Sequence, residues 1–96
     1  MIINVTENAQ KAIQHVVEQE NIENPQVHVY SEINENETEF RMLLLNGIPK
    51  PEDLVFNFDS FKVTVSELSQ KDMLGTYLID FNDEPYSAFS IVEIDK

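Results

Sequence analysis

Cysteine is absent from this sequence of 96 residues, and glycine occurs only twice. Without a thiol, the chain can form no disulfide and offers no thiolate to a metal cluster or to nucleophilic catalysis. The two separate glycines, Gly47 and Gly75, cannot build the glycine-rich loop that cradles a phosphate group. These absences exclude disulfide scaffolds, thiolate sites and loops of the nucleotide-binding type.

Basic residues are also scarce. Six Lys and Arg residues stand against 18 Asp and Glu residues, which gives a formal net charge of -12. Nucleic-acid binding depends on Lys and Arg to neutralise phosphates, and an anionic lipid surface repels a negative protein. We therefore expect no nucleic-acid partner and no membrane partner. The charge favours solubility, with a basic protein partner or a bound cation as the alternatives.

Long apolar runs are missing as well. No stretch approaches the about 18 apolar residues of a membrane span, and Met1–Asn4 lacks the residue order that opens a signal peptide. We therefore expect a cytoplasmic protein.

What is present is an apolar fraction of 42%, with six Phe and three Tyr. This is enough for one modest core, and we expect a single domain over residues 1–96.

The first clear pattern is that of a helix from Glu7 to Glu20. Thr6 is a favourable N-cap, and the negative charge of Glu7 suits the positive end of the helix dipole. The apolar residues recur at the spacing of one helical face, namely Ala9, Ala12, Ile13, Val16 and Val17. Pro25 disfavours helical geometry in the residue before it, so the helix ends within residues 21–25.

The residues that follow have strand patterns. Val27–Tyr30 alternates apolar and polar side chains, as in a half-buried strand. Residues 32–39 are rich in acids, and we expect a loop there. Phe40–Leu45 is apolar on both faces apart from Arg41, which favours a central strand. Gly47 then lies in a turn, where it can take a positive φ.

A hairpin is the clearest pattern of the second half. Apolar residues alternate along both arms of Leu54–Val65, and Asp59-Ser60 forms the tight loop between them. Ser66 caps a short helical stretch that ends at Leu74, with Gly75 at the C′ position.

Two further strands, Thr76–Phe81 and Ala88–Ile94, are joined by a turn at residues 82–85. The predicted order of elements is therefore β-α-β-β-β-β-α-β-β. It indicates an α+β domain with one main N-terminal helix and with helices on one face of a mostly antiparallel or mixed β-sheet.

The acid-rich loop offers a candidate cation site. Its carboxylates are ligands that Ca²⁺ or Mg²⁺ accepts, and His28 precedes it on the strand that carries Tyr30. The loop lacks the ligand spacing of an EF-hand, so a solvated, self-repelling loop and a packed or surface histidine are the alternatives. We predict no resident metal and no cofactor. The candidates for a cation site are His28, Glu32, Glu35, Glu37 and Glu39.

Catalytic patterns are weak. The serines fall in turns and caps, and none stands in a Gly-x-Ser-x-Gly elbow. His15 should point away from the apolar face of the first helix, towards solvent. Asp80, Asp83 and Glu84 can be interpreted as paired acid–base carboxylates, although a turn accounts for most of the group. We expect no enzyme activity.

Several segments carry a resemblance to a known family. They are Ile3–Ala9 before an amphipathic helix, Asp53–Phe56 running through Asp59-Ser60 into Phe61–Val65, Met73–Thr76, Ile79–Phe81 and Ser87–Ile91. In this order they resemble the HesB-like (IscA-like, A-type) iron–sulfur cluster biogenesis family over nearly the whole chain. The resemblance implies the fold of that family.

The resemblance also implies a ligand set that can be checked against this sequence. Typical members hold iron or a cluster with one cysteine in a glycine-rich loop after the strand matching Val27–Tyr30, and with two in a C-terminal Cys-Gly-Cys segment. None of the three carries over, because the loop is the acidic segment 31–39 and the sequence has no cysteine. Thiolate is the ligand that iron–sulfur clusters need.

We therefore predict a HesB-like domain without cluster-ligating cysteines that acts as a non-catalytic binding or accessory protein. It would dock another protein through a sheet edge or its acidic face. The alternative is a divalent-cation or small-ligand binder that uses Glu32–Glu39 near His28.

Overall fold

The computed structural model describes residues 1–84 and 86–94, so Pro85 of the predicted turn and the last two residues lie outside it. The elements in chain order are β1 Ile2–Val5, α1 Glu7–Glu20, β2 Pro25–Asn34, β3 Glu37–Asn46, β4 Leu54–Asn57, β5 Lys62–Val65, α2 Glu67–Gln70, β6 Thr76–Asn82 and β7 Ala88–Ile94. The predicted order of elements is confirmed. In this described part, neither helix combines the length and hydropathy needed to cross a lipid bilayer.

The first of two compact units contains Met1–Asn21 and the described residues from Gly75 onward. Its three-stranded sheet has β6 in the middle, parallel to β1 and antiparallel to β7. The helix α1 buries Ala9 and Ile13, which belong to the predicted apolar face. The strands complete this core with Ile3, Val5, Tyr77 and Ile79.

The ends of α1 follow from its capping residues. The Thr6 side chain accepts the backbone N–H of Ala9 at 3.1 Å, so the predicted N-cap is confirmed. At the other end Asn21 takes a left-handed conformation with φ 53°, which asparagine tolerates better than most residues. The helix therefore ends at its C-cap, Asn21, upstream of the residue whose backbone Pro25 restricts.

The N-cap of α1 is tied to β6 through a carboxylate. The Thr6 hydroxyl donates to Oδ1 of Asp80 at 2.7 Å, and the backbone N–H of Phe81 donates to the same oxygen at 2.8 Å. These hydrogen bonds, with that from Thr6 the larger effect, lower the pKa of Asp80 below its ordinary value of 3.8. Asp80 thus supports the helix cap, and the Asp83 carboxylate accepts from the Ser87 hydroxyl at 3.2 Å.

This arrangement predicts a specific acid sensitivity. Because the pKa of Asp80 is lower in the folded state, its contribution to stability is complete above pH 3.8 and is lost as pH falls through the lowered value. We expect Asp80→Asn to remove part of the decline in melting temperature between about pH 5 and pH 1. Asp59→Asn, at an exposed aspartate, is the control and should melt with the native pH profile. An unchanged profile in Asp80→Asn would refute the assignment.

The second unit, Ile22–Leu74, contains a four-stranded sheet in the order β3-β2-β5-β4. β2 is antiparallel to β3 and parallel to β5, and β5 is antiparallel to β4. The buried apolar residues are Val27, Val29, Phe61, Val63, Val65 and Met73. The mixed α+β architecture is confirmed, but the strands form two sheets where the sequence predicts one. The parallel pairs join segments far apart in the chain, which local patterns do not reveal.

The expected loop at residues 32–39 is wrong, since β2 and β3 continue through it as a regular hairpin. Glu32 lies opposite Glu39, and Asn34 lies opposite Glu37. Only two residues form the turn, Glu35 with φ 50° and Asn36 with φ 70°. Two successive residues of positive φ are typical of the type I′ turn, whose twist matches that of paired strands.

The prediction that residues 40–45 form a central strand is also wrong. Within the described residues, β3 pairs with β2 alone and lies at the edge of its sheet. The other side of β2 is taken by β5, which arrives in parallel from residues 62–65. Leu43 and Leu45 consequently remain exposed on a strand composed like an interior one.

The segment from β4 to α2 is confirmed in part. Leu54 lies opposite Val65 in the predicted hairpin, which the N–H of Phe58 closes by donating to the carbonyl of Phe61 at 2.9 Å. Ser66 caps α2 as predicted. The helix, however, ends at Gln70 and not at Leu74.

The predicted roles of the glycines are wrong as well. The N–H groups of Asp72 and Met73 both turn back to the carbonyl of Ser69, so the helix does not reach a C′ residue at position 75. Neither glycine has a positive φ. Asn21, Glu35 and Asn36 take that conformation instead.

Candidate functional site

The acidic hairpin tip consists of Glu32, Glu35, Glu37 and Glu39, and its charges are organised around Arg41. Nε of Arg41 lies 3.5 Å from Oε1 of Glu32, and Nη2 lies 2.9 Å from Oε2 of Glu39. Arg41 is the only arginine of the sequence. Two of the four candidate carboxylates thus already face a guanidinium, which is a competitor for any metal ion.

His28 does not join this cluster. It lies on the same face of β2 as Glu32, but four residues away, which is about 13 Å at about 3.3 Å per residue. Tyr30 lies between them, with its ring stacked on that of His28 at a centroid distance of 6.4 Å. Within residues 1–84 and 86–94, no three His, Asp or Glu side chains are arranged to hold a metal ion.

His28 instead ends a chain of hydrogen bonds on the sheet of the second unit. Gln26 Nε2 donates to the carbonyl of Gly47 at 3.3 Å, so its Oε1 faces the Thr64 hydroxyl at 2.5 Å. Thr64 Oγ1 also lies 2.9 Å from Nδ1 of His28. Thr64 is fully buried and Gln26 nearly so, with exposures of 0% and 5%.

The order of donors along this chain is fixed by its ends. Oε1 of Gln26 can only accept, so the Thr64 hydroxyl gives its one proton to Gln26. Thr64 Oγ1 must then accept from Nδ1–H of His28. In the neutral ring, Nε2 is therefore left as a hydrogen-bond acceptor. This network could not be predicted from the sequence, because only the parallel pairing of β2 with β5 brings His28 opposite Thr64.

The network forms part of the wall of an open cavity of about 540 Å³. Gln26 and His28 line it together with the segment that follows β3 and the start of α2. Its apolar lining includes Leu45, Ile48 and Leu68, and its charged lining consists of Lys50, Glu52, Asp53 and Glu67. Small-molecule sites occupy about 300–1,000 Å³ and combine apolar walls with a few polar groups, as this cavity does.

The other feature of this unit is the outer edge of β3. Leu43 is 50% exposed, and Leu45 lies exposed beside it on the same face. The N–H of Gly47 donates to the carbonyl of Asn24 at 2.9 Å, which makes these residues a hydrogen-bonded pair at the end of the ladder. Because hydrogen-bonded and non-hydrogen-bonded pairs alternate, the backbone N–H and C=O of Met42 and Leu44 point away from β2.

His15, the remaining histidine, lies exposed on α1 in the first unit. It lines a cavity of about 580 Å³ with Lys11, Phe81 and Phe89. The ring centroids of the two phenylalanines are 4.8 Å apart. The expectation that His15 faces away from the apolar side of the helix agrees with this exposure.

Several solved structures share the architecture of this chain. No family model and no curated protein matches the sequence. SufA of Escherichia coli, which is involved in biosynthesis of iron–sulfur clusters, superposes with a TM-score of 0.71 at 16% identity, covering 97% of this chain and 86% of SufA. The fold is HesB/IscA-like.

Two further solved structures have the same HesB/IscA-like fold. A protein of Aquifex aeolicus, determined in solution, has a TM-score of 0.69 at 25% identity, covering 98% of this chain and 93% of its own. IscA with a [2Fe–2S] cluster has a TM-score of 0.68 at 14% identity, covering 96% and 85%. The fold predicted from the resemblance is therefore confirmed.

The donor set of this HesB/IscA-like chain does not fit an iron–sulfur cluster. Such clusters are held by cysteine thiolates, of which the sequence has none. The resemblance places the first ligand in the segment whose tip is the Glu35-Asn36 turn, and neither residue supplies sulfur. The fold is shared with cluster-assembly proteins, while the soft donors for a cluster are missing.

Proposed function

We propose that this protein is a non-catalytic accessory protein that docks an extended, basic segment of a partner protein along β3. The observation that carries the proposal is the composition of this strand. Apart from Arg41, residues 40–45 have the apolar character of an interior strand on both faces, yet β3 lies at the edge of the described sheet. A partner strand would give these residues the neighbour that their composition requires.

The backbone of β3 suits such a partner. The strand has ten residues, which is long for an edge. Its charged residues, Glu37, Glu39 and Arg41, lie towards the hairpin tip, and residues 42–45 contain no charged residue and no proline. Natural proteins use such residues to block edge pairing. The outward N–H and C=O groups of Met42 and Leu44 offer the hydrogen bonds of a further antiparallel or parallel strand. Exposed Leu43 and Leu45 offer apolar contacts on one face of it.

Charge favours a basic partner over a second copy of this chain. The protein carries a formal charge of -12, and the acidic hairpin tip holds four carboxylates against the one guanidinium of Arg41. Two copies paired along β3 would bring like charges together, whereas lysines or arginines beside the partner strand would meet opposite charge. The partner we propose is therefore a cationic extended segment.

The shared fold supports a place for this protein beside iron–sulfur cluster assembly. SufA is involved in biosynthesis of iron–sulfur clusters, and IscA carries a [2Fe–2S] cluster. Because this chain has the fold without thiolates, we propose a docking role there, in which it holds a partner and carries no cluster itself.

A peptide titration tests the docking role. The probe is a short peptide of alternating valine and threonine with two lysines at each end, and the comparison peptide replaces these lysines with glutamates. We expect the cationic peptide to bind, to weaken as salt is raised, and to shift the backbone NMR signals of β3. The acidic peptide should not bind.

Leu43→Lys and Val92→Lys separate the edge of β3 from the rest of the surface, since both side chains are 50% exposed. We expect Leu43→Lys to weaken peptide binding at least about tenfold, because it removes apolar burial of about 1.5 kcal/mol or more and adds a like charge. Val92→Lys, on the edge strand β7, should bind as the native protein does. Equal binding of both peptides, or equal loss in both variants, would overturn the proposal.

A further inference from the structure

The cavity beside His28 has the chemistry of a small-molecule site, and it shares only Leu45 with the apolar contacts proposed for the β3 edge. Polar side chains are usually exposed and large apolar side chains usually buried, so exceptions to either rule can mark a binding site. Both kinds of exception occur together here. Thr64 and Gln26 are buried in the sheet, whereas Ile48 and Leu68 on the cavity wall are 81% and 75% exposed. A ligand with an apolar body would cover these two side chains.

The hydrogen-bonding requirement of the ligand follows from the network behind His28. The Thr64 hydroxyl donates its one proton to Gln26, and Gln26 donates one N–H of its side-chain amide to the Gly47 carbonyl. His28 in turn spends Nδ1–H on Thr64. What the neutral ring has left is the Nε2 lone pair, so the recognised ligand must bring a hydrogen-bond donor. Thr64 thus fixes the tautomer of His28, as hydrogen-bond partners of functional histidines commonly do.

The charge requirement follows from the rest of the lining. The lining contains three acidic residues, Glu52, Asp53 and Glu67, and one basic residue, Lys50. Oδ2 of Asp53 is engaged at 3.0 Å by the backbone N–H of Lys50, which holds the turn in place. A cation is favoured by the net negative lining and by the -12 charge of the whole chain, whereas an anion is repelled.

From these three requirements, we propose that the cavity lined by His28, Leu45, Ile48, Leu68, Glu52 and Glu67 binds an amine with an apolar body that donates an N–H or O–H to Nε2 of His28. The ammonium group of the ligand lies towards the carboxylates, and the apolar body lies against the three apolar side chains. This assigns His28 the role of a neutral hydrogen-bond acceptor and requires no metal.

Three related compounds test the proposal on the native protein at about 0.15 M salt, where long-range charge effects are screened. Tryptamine has the ammonium, the flat ring and the ring N–H. In 1-methyltryptamine a methyl group replaces the ring hydrogen, and indole-3-acetate carries a negative charge in place of the amine. By calorimetry we expect tryptamine to bind about tenfold or more tighter than 1-methyltryptamine, the ratio that one hydrogen bond provides. Indole-3-acetate should bind more weakly than either amine.

His28→Phe keeps a flat ring on the strand and removes Nε2, and His15→Phe is the matched control at the other histidine. We expect His28→Phe to bind tryptamine and 1-methyltryptamine equally, and His15→Phe to keep the native ratio. Equal affinities for the two amines in the native protein, or an undiminished ratio in His28→Phe, would overturn the proposal.

A measurement on the native protein covers the case in which His28→Phe fails to fold. The ¹⁵N chemical shifts of the His28 ring, recorded where the ring is neutral, report which nitrogen carries the proton. We expect the proton on Nδ1 and an unprotonated Nε2 whose signal moves when tryptamine is added. A neutral ring protonated on Nε2 would contradict the acceptor role, whatever the variants do.

Discussion

Incubation of the purified protein with ferrous iron and sulfide under anaerobic conditions should leave it colourless after gel filtration. Iron–sulfur clusters depend on thiolate ligands, and the sequence contains no cysteine. Two carboxylates of the acidic hairpin tip, Glu32 and Glu39, already contact Arg41. We therefore expect no charge-transfer absorption in the visible spectrum and no iron retained with the protein.

IscA, which has been observed with a [2Fe–2S] cluster on the same fold, is the positive control for this reconstitution. It should develop the visible absorption under conditions in which the present chain does not. A brown protein that keeps iron and sulfide in stoichiometric amounts, without glutathione or another thiol present, would contradict the expectation. It would also contradict the proposal that this protein holds a partner and carries no cluster itself.

The largest effect on stability should come from the core of the three-stranded sheet. Ile79 is fully buried and lies in register between Val5 and Ile91. Ile79→Ala removes three methyl or methylene groups and leaves a cavity, which costs about 2–5 kcal/mol. At about 4–8 °C per kcal/mol for a domain of this size, the melting temperature should fall by at least about 8 °C.

Val92→Ala provides the control for this substitution within the same sheet. Val92 lies on β7 opposite Leu78 but is half exposed, so its truncation should change the stability by no more than about 0.5 kcal/mol. Both variants are compared with the native protein by thermal melts. Equal losses in the two variants would mean that the core of this unit has been placed incorrectly.

Local patterns in the sequence were sufficient for most individual elements. The N-cap at Thr6 needs only a hydroxyl before an amphipathic run, and the hairpin from Leu54 to Val65 needs only alternation on either side of a short turn. These signals lie within a few residues of each other in the chain. The order of all nine elements could therefore be predicted, and the resemblance to the HesB-like family implied the fold that the solved structures confirm.

Pairings between distant segments could not be predicted in the same way. The apolar side chains on both faces of residues 40–45 are typical of a central strand. Side-chain composition does not reveal, however, whether a neighbouring strand pairs on each side. The parallel pairing of β2 with β5 places β3 at the edge and brings His28 to Thr64. Both candidate sites, the β3 edge and the His28 cavity, depend on that one pairing.

The hairpin at residues 32–39, where the sequence predicts a loop, could not be recognised for a different reason. Four glutamates within eight residues are typical of a solvated loop, whereas the signal for a tight turn is the single Asn36 after Glu35. Once the turn forms, Glu32 and Glu39 become cross-strand neighbours, and Arg41 can offset their repulsion. The candidate cation ligands thus became part of a strand pair, away from His28.

Amide hydrogen exchange at β3 is the most direct test of the proposed docking edge. The N–H groups of Met42 and Leu44 point away from β2, so only an added strand would protect them. With the lysine-flanked valine–threonine peptide at saturation, we expect their exchange to slow markedly while the other edge strands of the described sheets, β1, β4 and β7, exchange as before. Unchanged exchange at Met42 and Leu44 in the saturated complex would contradict the docking of a partner on this edge.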